Sequence, residues 1–268
     1  MSASDSAFAG SIPAIYDRCL GPLLFEPYAE DLADRLAPLG PRQILETAAG
    51  TGIVTAALAR RMPEAVIVAT DLNQAMLDVA SARIDSDRVT FQVVDAQMLP
   101  FGDSRFDAVV CQFGAMFFPD RVRAFGEALR VLGPGGHLLF NVWNEVHENP
   151  ASLAIAEAVA DLFPDDPPNF IQRTPFGYHD IERVKADLRS AGFLKIDVET
   201  VAKRSRSPDP AAAARGMCHG SPLRAEIEAR DPALLEAAAE AAERRLARFV
   251  GPDGLDAPMS AHVFTASA

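Results

Sequence analysis

Between Gln43 and Trp143, short β-branched runs alternate with helical stretches, and this alternation constrains the fold more than any other feature of the chain. "QILET" is a short apolar strand and "GIVTAALARRM" a helix; "AVIVATD" is a second strand, ending at Asp71, and "NQAMLDVASARI" a helix with Asn73 as its N-cap. "VTFQVVD" ends at Asp95, "FDAVVCQF" is a fourth strand, "DRVRAFGEALRVL" a helix, "GPGG" a tight turn and "HLLFNVW" a fifth strand. Strands separated by single helices at this spacing make a parallel sheet with right-handed crossovers. Their near-continuous apolar character fits a sheet covered on both faces.

The flanks are less regular. Residues 1–10 read as a loose tail. Residues 11–38 are helical, with apolar positions at Ile15, Leu20, Leu23, Leu24, Leu32 and Leu36, and Gly21-Pro22 and Pro27 are predicted to break them into two pieces. After Trp143 come a helix, a proline-rich loop, a second helix closed by Gly192, and a strand in "KIDVETVAKRS". Residues 208–250 are Ala-rich and helical, and "MSAHVFTAS" closes the chain as a strand. The expected class is α/β: a doubly wound sheet, mostly parallel with an antiparallel last strand, plus a helical cap. The division that follows is 1–40 as N-terminal cover helices, 41–207 as a cofactor-binding core, 208–256 as the cap insertion and 257–268 as the final core strand. The Ala-rich block serves equally as a homodimer surface.

Composition narrows the function. Apolar residues are 49% of the 268, too many for a disordered chain. A net charge of −12 would repel a phosphate backbone, so nucleic acid is not the expected partner. Cys19, Cys111 and Cys218 are too widely spaced for a CxxC redox or zinc motif and suggest reduced thiols in a cytoplasmic protein. The N-terminus has no basic and apolar signal-peptide pattern, and no apolar stretch approaches the length of a membrane helix.

Open parallel sheets bind ligands beyond the carboxyl ends of their strands, and the informative residues fall there. Gly50 and Gly52 follow strand one and allow close backbone approach at a helix N-terminus. Asp71 lies 19 residues beyond Gly52, where an acid can grip a ribose diol or, more plainly, cap the next helix beside Asn73. Asp95 can accept from an adenine amino group or serve as a turn aspartate. No Walker lysine is present, and Thr55 stands at the third small position of a dinucleotide fingerprint, which argues against a nicotinamide-dependent oxidoreductase.

As an ordered set, "ILETAAGTG", "TDLNQAML", "VVDAQMLPF", "FDAVVCQFGAMFF" and "ALRVLGPGGHLLF" resemble the successive motifs of class I S-adenosylmethionine-dependent methyltransferases. The closest likeness is to the small-molecule group that includes the ubiquinone and menaquinone biosynthesis enzymes, and it covers about residues 40–145. The opening "IPAIYDRCLGPLLFEPYAEDLADRL" resembles the cover helices of one such subgroup. The resemblance implies a Rossmann-like fold, S-adenosylmethionine as cofactor, no metal, and in-line methyl transfer to the O, N or C of a small-molecule acceptor. It places Glu46, Ala48, Gly50 and Gly52 along the amino-acid tail, and Asp71 on the ribose hydroxyls. Leu72 and Met76 would flank the adenine, Asp95 and Ala96 would lie at its edge, and Gln112 and Phe113 would lie under the methionine portion. Tyr16 would close the tail from the N-terminal cover. Ala48 departs from the family's usual glycine, and its Cβ would set the loop slightly farther from the methionine moiety.

The departing thioether is neutral, so a base is useful only when the acceptor holds its proton. His147 and His219 are the candidates; His137 and His262 read as structural and His179 as a surface or capping residue. Phe117, Trp143 and Phe176 head the candidates for an apolar acceptor wall, with Phe118 and Phe170 behind them. "QFGAMF" stands where amine methylases of DNA or protein carry Asn-Pro-Pro-Tyr, which disfavours those substrates. The competing reading is a non-catalytic member of the fold that binds S-adenosylmethionine as a sensor or partner subunit.

Overall fold

A computed structural model describes Phe8 and residues 10–268. The expected tail over residues 1–10 therefore lies almost wholly outside the described residues. Among the described residues, eight strands form one sheet: β1 (Gln43–Glu46), β2 (Val66–Asp71), β3 (Val89–Val93), β4 (Phe106–Gln112), β5 (Leu132–Trp143), β6 (Lys195–Ser207), β7 (Val250–Gly251) and β8 (Gly254–Ser267). Their order is β3-β2-β1-β4-β5-β8-β6, with β7 paired to β8. The pairings from β3 through β5 are parallel, whereas β8 runs antiparallel to both β5 and β6. Strand order reverses between β1 and β4, so the loops after these two strands face a common crevice.

The flanking helices are α1 (Ile12–Ile15), α2 (Glu26–Leu36), α3 (Ile53–Arg61), α4 (Gln74–Arg83), α5 (Arg121–Val131), α6 (Pro150–Ala160), α7 (Phe170–Arg173), α8 (Ile181–Ser190), α9 (Pro210–His219), α10 (Leu223–Arg230) and α11 (Leu235–Leu246). The central strands are buried on both sides: Ile44, Leu45, Ile67, Val109, Val110 and Phe140 are all sealed from solvent. Periodicity found these strands because a doubly covered strand is apolar at consecutive positions.

Three expectations are corrected. The N-terminal helix does not break at Gly21-Pro22. Tyr16–Phe25 is a ten-residue π-helix with Pro22 inside it, joining α1 to α2 without interruption. An α-turn has no room for the proline ring against the preceding carbonyls, and the wider π turn supplies it. Pro27 falls in the first turn of α2, where its missing N–H has no intrahelical partner to lose. "GPGG" is likewise not a turn ahead of the fifth strand but a distortion within it. From Phe106↔Leu132 to Ala108↔His137, β4 advances two residues and β5 five, with Gly135 at φ +77°. Finally, β8 begins at Gly254 rather than near residue 257, because it pairs with β6 from Ser207↔Leu255 to Lys195↔Ser267. The α9–α11 block is thus inserted between two neighbouring antiparallel strands. Among the described residues, no helix is long and apolar enough to cross a membrane.

Gly52 caps α3 in the left-handed region at φ +76°, and a Cβ built there would lie 2.8 Å from Ala80 Cβ on α4. Strain and overpacking act together at this position. Gly52→Ala is expected to destabilise the fold by about 2–4 kcal/mol, measured as a shift of the urea midpoint at constant m-value.

Candidate cofactor and acceptor site

The turn after β1 is stitched to both neighbouring strands. Thr47 N–H donates to Val110 O of β4, and Ala49 N–H donates to Thr70 O of β2, each at 2.9 Å. Thr70 Oγ1 donates to Glu46 O at 2.9 Å, and Thr55 Oγ1 to the Glu46 carboxylate at 2.6 Å. Asp71 closes the stitch: one carboxylate oxygen accepts from Gly50 N–H at 2.9 Å, the other from Asn73 N–H at 2.8 Å. Ala48, Gly50 and Gly52 all have positive φ, so the turn is wound in the left-handed sense around this carboxylate. Ala48, at φ +53°, is tolerated because its methyl meets Gly114; a Cβ on Gly114 would stand 2.5 Å from it.

A cavity of about 240 Å³ opens at these strand ends. It is lined by Ala48 and Gly50 after β1, Asp71, Leu72 and Met76 around the end of β2, Asp95, Ala96 and Gln97 after β3, and Gln112 and Phe113 at the end of β4. A narrower recess continues past Gly50 and Gln112 to Glu46 and Thr51, and Tyr16 lines both spaces. Ten of the twelve cofactor candidates named from the sequence line the cavity, and Glu46 lines only the narrower recess. Gly52 is the exception: it lines neither, and its lack of a side chain serves the close packing of α4. Gln97 was missed. Its amide holds the Asp95 carboxylate at 3.0 Å, and its carbonyl oxygen accepts from Asp120 N–H at 2.9 Å, so it fixes that acid toward the cavity. Its place two residues after a strand-ending Asp was the available signal, since Asp side chains accept from the backbone two residues on.

A second, smaller space of about 70 Å³ lies behind Tyr16, Phe113 and Phe117, which it shares as walls with the first. Trp143 and Phe176 line it, as does Phe170, whereas Phe118 belongs to the first cavity instead. Leu20, Leu24 and Phe25 enter from the π-helix, and Met217, Ser221 and Pro222 from the end of α9 and the turn after it. These contributions depend on tertiary docking and carried no local signal. Phe113 is the partition. Its φ of +49° is held by Asn141, whose backbone and side-chain oxygens both accept from Phe113 N–H, and its ring stacks on Trp143 at 3.8 Å and 6°.

A family model described as a methyltransferase domain matches residues 45–140. The chain is 33% identical over 175 residues to a demethylmenaquinone methyltransferase of Clavibacter sepedonicus, covering 60% of this chain and 69% of that protein. It is 42% identical over 113 residues to the demethylmenaquinone methyltransferase of Thermus thermophilus, covering 41% of this chain and 50% of that protein. The chain belongs to the class I S-adenosylmethionine-dependent methyltransferases. Phosphoethanolamine N-methyltransferase 2 of Haemonchus contortus, solved with S-adenosyl-L-methionine, shares the fold at a TM-score of 0.60 and 18% identity, over 95% of this chain and 56% of that one.

The structure brings neither candidate base of this methyltransferase to the second space. His147 is exposed on the short 3-10 turn Val146–Glu148. His219 ends α9 in a separate cleft with Arg215 and Glu236, its Nε2 3.7 Å from the Glu236 carboxylate. Both sit in segments near the site in sequence, but neither side chain lines the second space. His179 pairs with Phe176 O at 2.7 Å and His262 with Thr200 Oγ1 at 2.9 Å, while His137 lines a surface cavity with Gly40 and Gly133.

Two buried acids set the electrostatics. Burial pushes the Glu46 carboxyl up to about 8, with the Thr55 hydrogen bond opposing and the Asp71 charge adding to the rise. Burial also raises Asp71, against the backbone donors of Asn73 and Gly50. The folded chain therefore holds the Glu46 proton more tightly than the unfolded chain does. That contribution to stability is complete below about 4.5 and is lost as pH rises through about 8. Glu46→Gln, which cannot ionise, should flatten the fall of melting temperature between these limits; an unchanged slope would show that Glu46 is charged in the cofactor-free fold.

Proposed function

We propose that this methyltransferase holds its cofactor across the larger cavity and transfers the methyl group to the O, N or C of a small, uncharged, largely apolar acceptor in the smaller one. The observation that carries the reading is the shared wall: Tyr16, Phe113 and Phe117 border both spaces. An acceptor and a cofactor lodged on either side would meet there. Several relatives are named for demethylmenaquinone, and the apolar lining of the smaller space is consistent with an acceptor of low polarity.

The residues present fit S-adenosylmethionine. Asp71 accepts from Asn73 N–H and, at 3.3 Å, from Asn73 Nδ2 on one oxygen, and its other oxygen, which takes Gly50 N–H, keeps a lone pair that can accept from a ribose hydroxyl. Gln112 donates its amide to Phe25 O at 3.2 Å, while its side-chain oxygen is buried without a partner; Thr51 Oγ1 is unpartnered too. Both groups line the recess beside Glu46, where the ammonium of an amino-acid tail needs acceptors. Leu72 and Met76 supply apolar surface, and Asp95, oriented by Gln97, an acceptor at the far edge.

When bound, S-adenosylmethionine supplies an electrophilic methyl group whose leaving group is a neutral thioether. The chain's own residues therefore have three tasks: hold the acceptor, align it and exclude water. The aromatic walls do all three. Among the described residues, no carboxylate, imidazole, ammonium or guanidinium lines the smaller space. Burial pushes the Tyr16 phenol well above its ordinary range, so it stays protonated and acts as a donor rather than a base. Catalysis rests on positioning. The net charge of −12 further supports a small molecule over nucleic acid, and three free, buried cysteines support a cytoplasmic setting.

Asp71→Asn is a better test of the ribose assignment than alanine, since it keeps an acceptor for Gly50 N–H and removes the charge. Calorimetric titration is expected to show S-adenosylmethionine and S-adenosylhomocysteine binding to the native chain and NAD not binding. The Asp71→Asn substitution should lower both affinities about 10–100-fold, and undiminished binding by the folded variant would overturn the assignment. With an acceptor found by radiolabelled methyl-transfer screening, His147→Ala and His219→Ala should each leave kcat within about twofold; a loss of about 100-fold or more in either would restore a catalytic base.

A further inference from the structure

The acceptor space proposed above is almost wholly hydrocarbon, and its polar groups are nearly all accounted for. Tyr16 also lines the larger cavity and its recess, so its phenol is shared with the cofactor side. Ser221 Oγ donates to Met217 O at 2.6 Å and accepts from Leu223 N–H at 3.2 Å, so it is consumed by its own turn. Ser152 is different. It lines the space and the residue is only 8% exposed, yet its hydroxyl is not sealed inside the protein and makes no hydrogen bond to the described residues. Facing the space, this hydroxyl is free to donate to whatever occupies it.

Its placement is rigid. Ser152 lies in the first turn of α6, and Asn149, the N-cap just before this helix, is clamped to β8 by two hydrogen bonds. Asn149 Nδ2 donates to Ser260 O at 3.1 Å, and Ser260 N–H donates to Asn149 Oδ1 at 3.0 Å. The first turn of a helix also carries the positive end of its dipole, which favours an electronegative atom opposite it. Across the space stand the Phe113–Trp143 stack and Phe176, flat faces suited to a ring.

We infer that Ser152 is the residue that recognises the acceptor: it donates a hydrogen bond to one oxygen, carbonyl or hydroxyl, on an otherwise apolar, uncharged ring compound. The inference rests on the acceptor reading of this space and adds its polar determinant. A ring without an oxygen would leave the hydroxyl unsatisfied. A charged ring would find no counter-ion among the described lining side chains.

Trp143 is the only tryptophan of the chain and lines the space, so its fluorescence reports occupancy directly. Toluene and p-cresol, which differ by one hydroxyl, are titrated into the full chain saturated with S-adenosylhomocysteine, with excitation at the red edge of indole absorption. Ser152→Ala is expected to weaken p-cresol about 3–10-fold and leave toluene within about twofold. Ser152→Thr, which keeps the hydroxyl, should restore the preference, and melting curves confirm that both variants are folded. If the alanine variant shifts both probes equally, or neither, Ser152 is not the determinant and the inference falls while the cavity assignment stands. If neither probe perturbs Trp143 in the native chain, the acceptor reading itself falls and the role of Ser152 with it.

Discussion

The Asp71 carboxylate is the interaction on which the rest of the site depends. It is buried at the end of β2, yet it accepts from the backbone of the turn after β1, and so binds two strand ends into one surface. The turn it holds is left-handed at Ala48, Gly50 and Gly52, a conformation that needs outside support when one of the three residues carries a Cβ. Support comes from all sides: β2 through Thr70, β4 through Val110, and Gly114, whose missing side chain admits the Ala48 methyl. The alanine substitution in a glycine-rich motif is thus compensated across the crevice, not at its own position. Burial in a dry turn raises both the Glu46 and the Asp71 carboxyl, and a positive charge beside them would oppose that rise.

A second constraint divides the crevice. Phe113 follows β4 in a strained conformation, and Asn141 on β5 holds it there with two acceptors on one N–H. Trp143, two residues further along β5 on the same side, stacks on its ring. The partition therefore belongs to the β4–β5 register, which sets Gln112 opposite Asn141. The π-helix adds Tyr16 to the same wall. Its wide winding is the local consequence of Pro22, and it carries Tyr16, Leu20, Leu24 and Phe25 to the two cavities.

Much of this was legible in the sequence because it is encoded locally. Strand ends, glycines and strand-terminal acids occur at fixed offsets, and in a parallel sheet every strand delivers its carboxyl end to the same edge. That one rule brought Ala48, Gly50, Asp71, Asp95 and Gln112 together. The failures share a cause as well. Gly52 was read as lining a ligand, when a glycine after a strand can equally admit another helix, here Ala80. His147 and His219 lie in the right neighbourhoods of the chain, but side-chain direction in a short turn or at a helix end depends on packing partners distant in sequence. Pro22 signals a disturbed helix equally well whether the outcome is a break or a π turn.

By itself, the sequence determined the alternating strands and helices of the parallel core and the glycine turn and acids that follow its strands. These follow from hydrophobic periodicity and short-range turn chemistry, which act between residues close in the chain. Only the tertiary structure decided the acceptor space. Its walls come from the π-helix, β4, β5, α6, α7 and the α9–α10 turn, segments separated by up to about two hundred residues, and their apposition arises from packing that no local pattern records. The same holds for Ser152. An isolated serine near the start of an apolar helix carries no signal of its own, and its unpaired hydroxyl acquires meaning only once its neighbours around the space are seen to be almost all hydrocarbon.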